Sequence, residues 1–200
     1  MSELPQERRR RADAERSVAA VLDAATDLLG RRPEASMEEI ATHAGVARQT
    51  VYAHFRSRRA LLRALVGRMT AEATDAIDAA DLDSGSAATA LLRWVDVSWG
   101  LMSRYPVLLT PVLAAEGPEE EHERHMPIIE RLDRLVRRGQ ASGDFDPQSS
   151  PTWLVAAVIG LGHAAGEEVR AGRMSTPDAG AAFRESVRRV CAAEPPGRQD

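Results

Sequence analysis

The sequence predicts an all-α fold of about nine helices, on three observations. Apolar residues recur at helical spacing through most of the 200 residues. Alternating apolar and polar runs bounded by turn residues, the mark of half-buried strands, are essentially absent. Cap and stop signals fall at the ends of the periodic stretches. The pattern divides into an N-terminal three-helix, helix-turn-helix module and a C-terminal helical body. No internal repeat of fixed period is present, which argues against a solenoid.

The first helix is expected over about Ala12–Leu29, where Val18, Val21, Leu22, Ala25, Leu28 and Leu29 form one apolar stripe. Residues 1–11, with arginines at 8–11, read as a flexible basic arm able to lie along a nucleic-acid backbone or in a minor groove. Gly30 stands where a left-handed cap is expected, and Pro33 prevents continuation. Ser36 and Glu39 form an S-x-x-E capping box that opens a second helix at about Met37. Gly45 ends it after Ala44. A third helix runs from about Ala47 to Phe55, and Ser57 caps a fourth over Arg58–Ala80. Asp81–Ser86 reads as a loop. Further helices are expected at Ala87–Arg104, Val107–Ala115 (short), Glu119–Ala141 with a kink at Pro127, Trp153–Ala171 and Thr176–Ala192. The tail from Glu194 reads as disordered. The expected domains are 12–66 and 67–193, with the helix-turn-helix at about 36–55.

Charge is unevenly spread. Residues 1–68 carry 13 Arg and 9 acids, a net +4, whereas the remaining 132 residues are −8; the chain has no lysine. A basic N-terminal segment on an acidic body suggests a nucleic-acid-binding module. No segment reaches the roughly 18 apolar residues of a membrane span, so no membrane partner is expected. The polar, arginine-rich start does not read as a secretory leader. A single cysteine, Cys191, excludes an internal disulfide framework and fits a reducing cytoplasm.

The helix-turn-helix carries the functional signal. Gly45-Val46-Ala47 is a tight turn in which glycine supplies a positive φ and Val46 an apolar plug. Ile40, Ala44, Val51 and Phe55 form the inward face. Gln49 and Ala53 then point outward, flanked by Thr50 and Tyr52, and Arg48 stands at the helix start. Arg48 and Gln49 are the expected base readers, since Arg bridges guanine O6 and N7 and Gln the adenine edge. Thr50, Tyr52 and His54 are expected on phosphates. Arg56, Arg58 and Arg59 add positive charge at the start of the next helix.

The stretch SMEEIATHAGVARQTVYAHFRSRRALLRAL resembles the TetR family's capped helix, I-A-x-x-A-G-V turn, T-x-Y-x-H-F helix and basic capped helix ending in A-L-L. The resemblance covers roughly residues 14–66. It implies DNA contacts at Arg48, Gln49, Thr50, Tyr52 and His54, with Arg58 as a backbone clamp. The sequence departs from the pattern in two places: Ala47 replaces a common serine cap, and the loop Gly30–Ala35 lacks the usual glycine-aromatic pair. The resemblance also implies a helical body whose last two helices pair with a second copy.

In that body, Trp153–Ala171 is apolar on nearly all sides, and Gly160, Gly162, Ala164, Ala165 and Gly166 permit close helix approach. Two half-sites then predict a palindromic operator on double-stranded DNA. A pocket for a small apolar or aromatic effector is expected among Trp94, Val97, Ser98, Leu101, Met102, Leu109, Leu113, Met126, Ile129, Trp153, Ala157 and His163, although each also reads as plain core. His122 and His125 have metal-compatible spacing but lack a third ligand, so a solvated charged face is the better reading and no metal is expected. Nucleotide-binding, nucleophile-elbow and zinc-protease motifs are absent; neither enzyme nor cofactor chemistry is expected. Asp144 and Asp146 sit in a turn, where such pairs cap helices. The expectation is a homodimeric, ligand-responsive repressor. A protein-binding adaptor without DNA affinity is the alternative, disfavoured by the basic reading face.

Overall fold

The computed structural model describes residues 5–109 and 118–193. Among these lie eight α-helices: α1 (Pro5–Arg31), α2 (Met37–His43), α3 (Arg48–His54), α4 (Arg58–Ala79), α5 (Ala87–Arg104), α6 (Pro118–Ser142), α7 (Pro151–Arg170) and α8 (Thr176–Cys191). A 3-10 turn occupies Pro106–Leu109. The described residues contain no strand, only an isolated bridge between Phe145 and Ala192. The all-α expectation holds. The chain divides into two compact units, residues 1–69 with 105–117 and residues 70–104 with 118–200.

In the first unit, α1 presents Val21, Leu22, Ala25 and Leu29 to a core shared with Met37, Ile40, Val51, Phe55, Leu61 and Leu65. Three expectations change here. Residues 5–11 continue α1 instead of forming a loose arm; glutamate, arginine and alanine favour helix, and Pro5 suits a first turn. Gly30 is not a left-handed cap, since it lies inside α1 and is not among the positive-φ glycines. Its missing side chain instead admits the 3-10 turn: a Cβ there would lie 2.9 Å from Pro106 Cβ and 3.3 Å from Val107 N. The candidate helix Val107–Ala115 is a 3-10 turn as far as Leu109, and its remainder lies outside the described residues. So does the tail expected to be disordered.

In the second unit, α5–α8 enclose Leu91, Val95, Leu132, Val136, Leu154, Val158 and Val187. Asp144 accepts the Ala87 N–H at 2.8 Å and so caps α5, while Asp146 accepts from Ser149 Oγ at 2.6 Å and Gln148 N at 2.9 Å. Both carboxylates of the turn are thus committed to backbone and side-chain donors. Arg93 ties down the 81–86 loop through the carbonyls of Ala80, Asp81 and Ser84. Helix α6 runs unbroken through Pro127. No described helix is long and apolar enough to cross a membrane.

Where α6 ends, the chain folds back so that the Phe145 ring lies on Gly139, and Phe145 N donates to the Gly139 carbonyl at 3.1 Å. A Cβ on Gly139 would fall 2.0 Å from Phe145 Cδ2. Alanine would ordinarily favour a helix interior, yet here the ring must move. Gly139→Ala should therefore destabilise the chain, by about 1–3 kcal/mol, in denaturant melts. Cys191 is buried, and desolvation pushes its thiol up to about 11. At neutral pH it should resist a thiol reagent such as dithionitrobenzoate in the native protein and react at once after unfolding.

Candidate nucleic-acid interface

Helix α2 starts where the capping box places it. Glu39 N donates to Ser36 Oγ at 3.2 Å, and Ser36 N returns a bond to Glu39 Oε2 at 2.8 Å. These bonds hold the Glu39 carboxyl below its ordinary range, the Ser36 backbone N–H first, then its hydroxyl, with Arg32 adding its charge. Gly45 takes φ +67°, which lets Val46 N reach the Ala41 carbonyl at 3.1 Å and turns the chain into α3. Ala47 precedes α3 with no side-chain cap bond, as its methyl requires.

The roll of α3 follows from two anchors. Val51 is fully buried and Phe55 6% exposed, beneath Ile40 and Ala41 of α2. Gln49 and Ala53 consequently face outward, Tyr52 is exposed at the flank and Arg48 at the helix start, with Thr50 and His54 half-buried. The structure thus brings the sequence candidates of α3 onto one short helix with one outward face. Arg48 is not loose on that face: Nη1 meets Glu38 Oε1 at 2.5 Å, and Cζ lies 5.3 Å from the Tyr52 ring centroid. Sequence reasoning missed Glu38; its only signal was an acid ten residues before Arg48, on the preceding helix.

Arg58 has a different occupation from the one expected. It donates through Nη2 to the Pro33 carbonyl at 2.6 Å and through Nη1 to the Ala35 carbonyl, so it fastens the α1–α2 loop to the start of α4. The physical reason is local: that loop leaves carbonyls without helical partners, and a guanidinium supplies two donors at once. Arg56, beside it, is exposed. Ser57 caps α4 through the Ala60 N–H at 3.2 Å.

The effector candidates fall in several places. Trp94 is buried, and Val97, Ser98, Leu101 and Met102 are half-buried along α5; Met126 and Ile129 on α6 and Ala157 on α7 are also half-buried. The Trp94 indole N–H is buried without a hydrogen-bond partner. Met102 packs at Gly162 beside Phe183. Trp153 and His163 lie instead on the exposed side of α7, with Trp153 65% exposed. Leu109 belongs to the other unit, and Leu113 lies outside the described residues, as do the side chains of His122 and His125. Among the described residues no group of three metal-ligating side chains occurs.

Residues 21–65 match the model of bacterial regulatory proteins of the tetR family. The chain is 42% identical over 82 residues to the HTH-type transcriptional repressor LfrR of Mycolicibacterium smegmatis, a match covering 41% of this chain and 43% of that repressor. The crystal structure of LfrR in complex with proflavine superposes with a TM-score of 0.71 and 28% identity, over 90% of this chain and 98% of that one. The fatty acid degradation regulator FadR of Bacillus halodurans shares the fold, with a TM-score of 0.74 at 17% identity over 99% of this chain and 100% of its own. The matched residues 21–65 hold the whole capping box, turn and outward α3 face, and over them the chain carries the domain of the tetR family of bacterial regulatory proteins.

Proposed function

We propose that the chain is a homodimeric transcriptional repressor, holding a palindromic operator with two copies of α3 and releasing it when a small apolar or aromatic effector binds in the second unit. The observation that carries this reading is the outward row of Arg48, Gln49 and Tyr52 above buried Val51 and Phe55. One seven-residue helix reads only a few base pairs, so useful specificity needs two half-sites about 34–36 Å apart or a multiple. Thr50 and His54 would contact phosphates, and Ala53 would leave room for close approach.

Dimerisation is supported by the outer side of α7, where Trp153, Ala156, Gly160, His163 and Ala164 are exposed. A large aromatic and a run of small residues on one exposed helix face suit a second helix better than water. The effector reading is supported by Trp94: a buried indole N–H without an acceptor is uncommon and suits a ligand bearing one. Proflavine, bound by the LfrR relative, is the first probe to try. Helix α4 contributes residues to both units, which gives effector binding a covalent route to the reading head.

The test begins with duplexes selected by the full-length protein from a randomised library. Binding should saturate at two protomers per duplex and weaken steeply with salt. Absence of any preference over random duplex defeats the proposal. Proflavine should quench tryptophan fluorescence and weaken operator binding, within the roughly 5- to 150-fold range of ordinary coupling.

Single substitutions separate the roles. Arg48→Ala should relax preference at one base pair per half-site, whereas Arg56→Ala should weaken all sequences alike and reduce the salt slope by about 1 per protomer. Arg58→Ala should lower thermal stability, by about 1–2 kcal/mol, because two carbonyls of the α1–α2 loop lose a charged donor. Trp153→Asp should leave the fold intact and shift the protein towards monomer in sedimentation, with operator affinity falling in step.

A further inference from the structure

We propose that Glu38 sets the base specificity of Arg48, a role that rests on the reading of Arg48 as a base contact. Glu38 Oε1 meets Arg48 Nη1 at 2.5 Å, with the two side chains 58% and 62% exposed. An ion pair so open to water contributes little to folding. Neither helix depends on it: the start of α2 is closed by Ser36 and Glu39, and α3 is held by Val51. The neighbouring Glu39 cannot substitute, because its carboxylate already takes Ser36 N, Ser36 Oγ and Arg32 Nη2 at 2.7–2.9 Å.

The two contacts on Arg48 engage different parts of the guanidinium. Glu38 engages Nη1, and the Tyr52 ring lies alongside Cζ at 5.3 Å. The Nε–Nη2 edge keeps two parallel donors, the pattern that matches guanine N7 and O6. An arginine with no such support at a DNA face drifts to the nearest phosphate, a contact carrying no sequence information. Glu38 opposes that drift twice, by competing for the guanidinium and by repelling phosphate. It therefore lowers affinity for DNA in general while sharpening the choice of base. Those opposite signs distinguish a positioning residue from one that only supports the fold, whose loss would lower both affinities together.

The experiment uses the full-length protein, E38Q, R48A and the double variant. Each is titrated at one salt concentration into the library-selected duplex, into derivatives with each base pair replaced in turn, and into a random-sequence duplex of equal length. R48A should lose about tenfold discrimination at one base pair per half-site. E38Q should lose about three- to tenfold at the same pair while binding random duplex more tightly, and should add nothing in the R48A background. Thermal melts of E38Q should match those of the parent. If E38Q keeps full discrimination where R48A loses it, Glu38 has no such role and Arg48 remains a reader. If E38Q weakens selected and random duplexes equally, the proposal also fails. If R48A changes preference at no base pair, the reading of Arg48 beneath it is what has failed.

Discussion

A helix of seven residues is far too short to persist alone in water, so α3 exists only because Val51 and Phe55 are buried against its neighbours. That burial does more than stabilise. With about 100° per residue, locking positions 51 and 55 inward leaves the helix no freedom of roll: positions 49 and 53 must face out, 52 lies at the flank, and 48 is exposed because it is the first residue of the helix. The tilt is set at the other end by the Gly45 turn and by the capping box that fixes where α2 begins. The surface proposed to read DNA is thus a by-product of core packing: its geometry is set by residues of the interior.

All 26 basic residues are arginine, and the structure uses them for unlike tasks. Arg58, Arg68 and Arg93 point their forks at fixed acceptors. Arg68 links α4 to α1 through Asp23 Oδ1 at 2.7 Å and Thr26 Oγ1 at 3.1 Å, and Arg93 gathers three loop carbonyls. Lysine carries its three donors on one nitrogen, whereas the guanidinium spreads five over a rigid planar fork and so spans acceptors set further apart. A second group forms exposed pairs within a single helix or its end, such as Arg188 and Arg189 on Glu185, whose carboxyl the two guanidiniums pull down to about 2. These pairs lie in solvent, where ion pairs contribute little, so that depressed value marks local geometry and says nothing of a functional site. Composition alone counts every arginine as free positive charge; the hydrogen-bond pattern shows that part of it is already committed within the chain.

What could be read in advance divides along the same line. Features encoded by near neighbours were legible: the S-x-x-E box, the glycine of the turn, the inward Val51 and Phe55, the Ser57 cap and the capping carboxylates of the 144–146 turn. Features made by distant residues were not. Arg58 looked like a phosphate clamp because its partners, the Pro33 and Ala35 carbonyls, carry no side-chain signal at all. Gly30 looked like a cap because nothing in the sequence announces that Pro106 will lie against it. The start of α1 was misplaced for another reason: an apolar stripe marks where a helix is buried, and residues 5–11 carry no such stripe.

The same distinction bears on α7. Its small residues form one class by composition and two by position. Gly162, Ala165 and Gly166 turn inward, where Gly162 leaves space for Phe183 of α8 and Met102 of α5. Gly160 and Ala164 turn outward beside Trp153 and His163, and a Cβ on Gly160 would meet nothing within 4 Å. The inward set is explained by the fold of one chain. The outward set is not, because glycine weakens an exposed helix by about 1 kcal/mol relative to alanine and gains nothing from water. Exposed Gly67 of α4 and Gly100 of α5 likewise have nothing within 4 Å of a Cβ, so that cost is not peculiar to α7, and the proposal that a second copy covers this face rests on Trp153 and the small residues together.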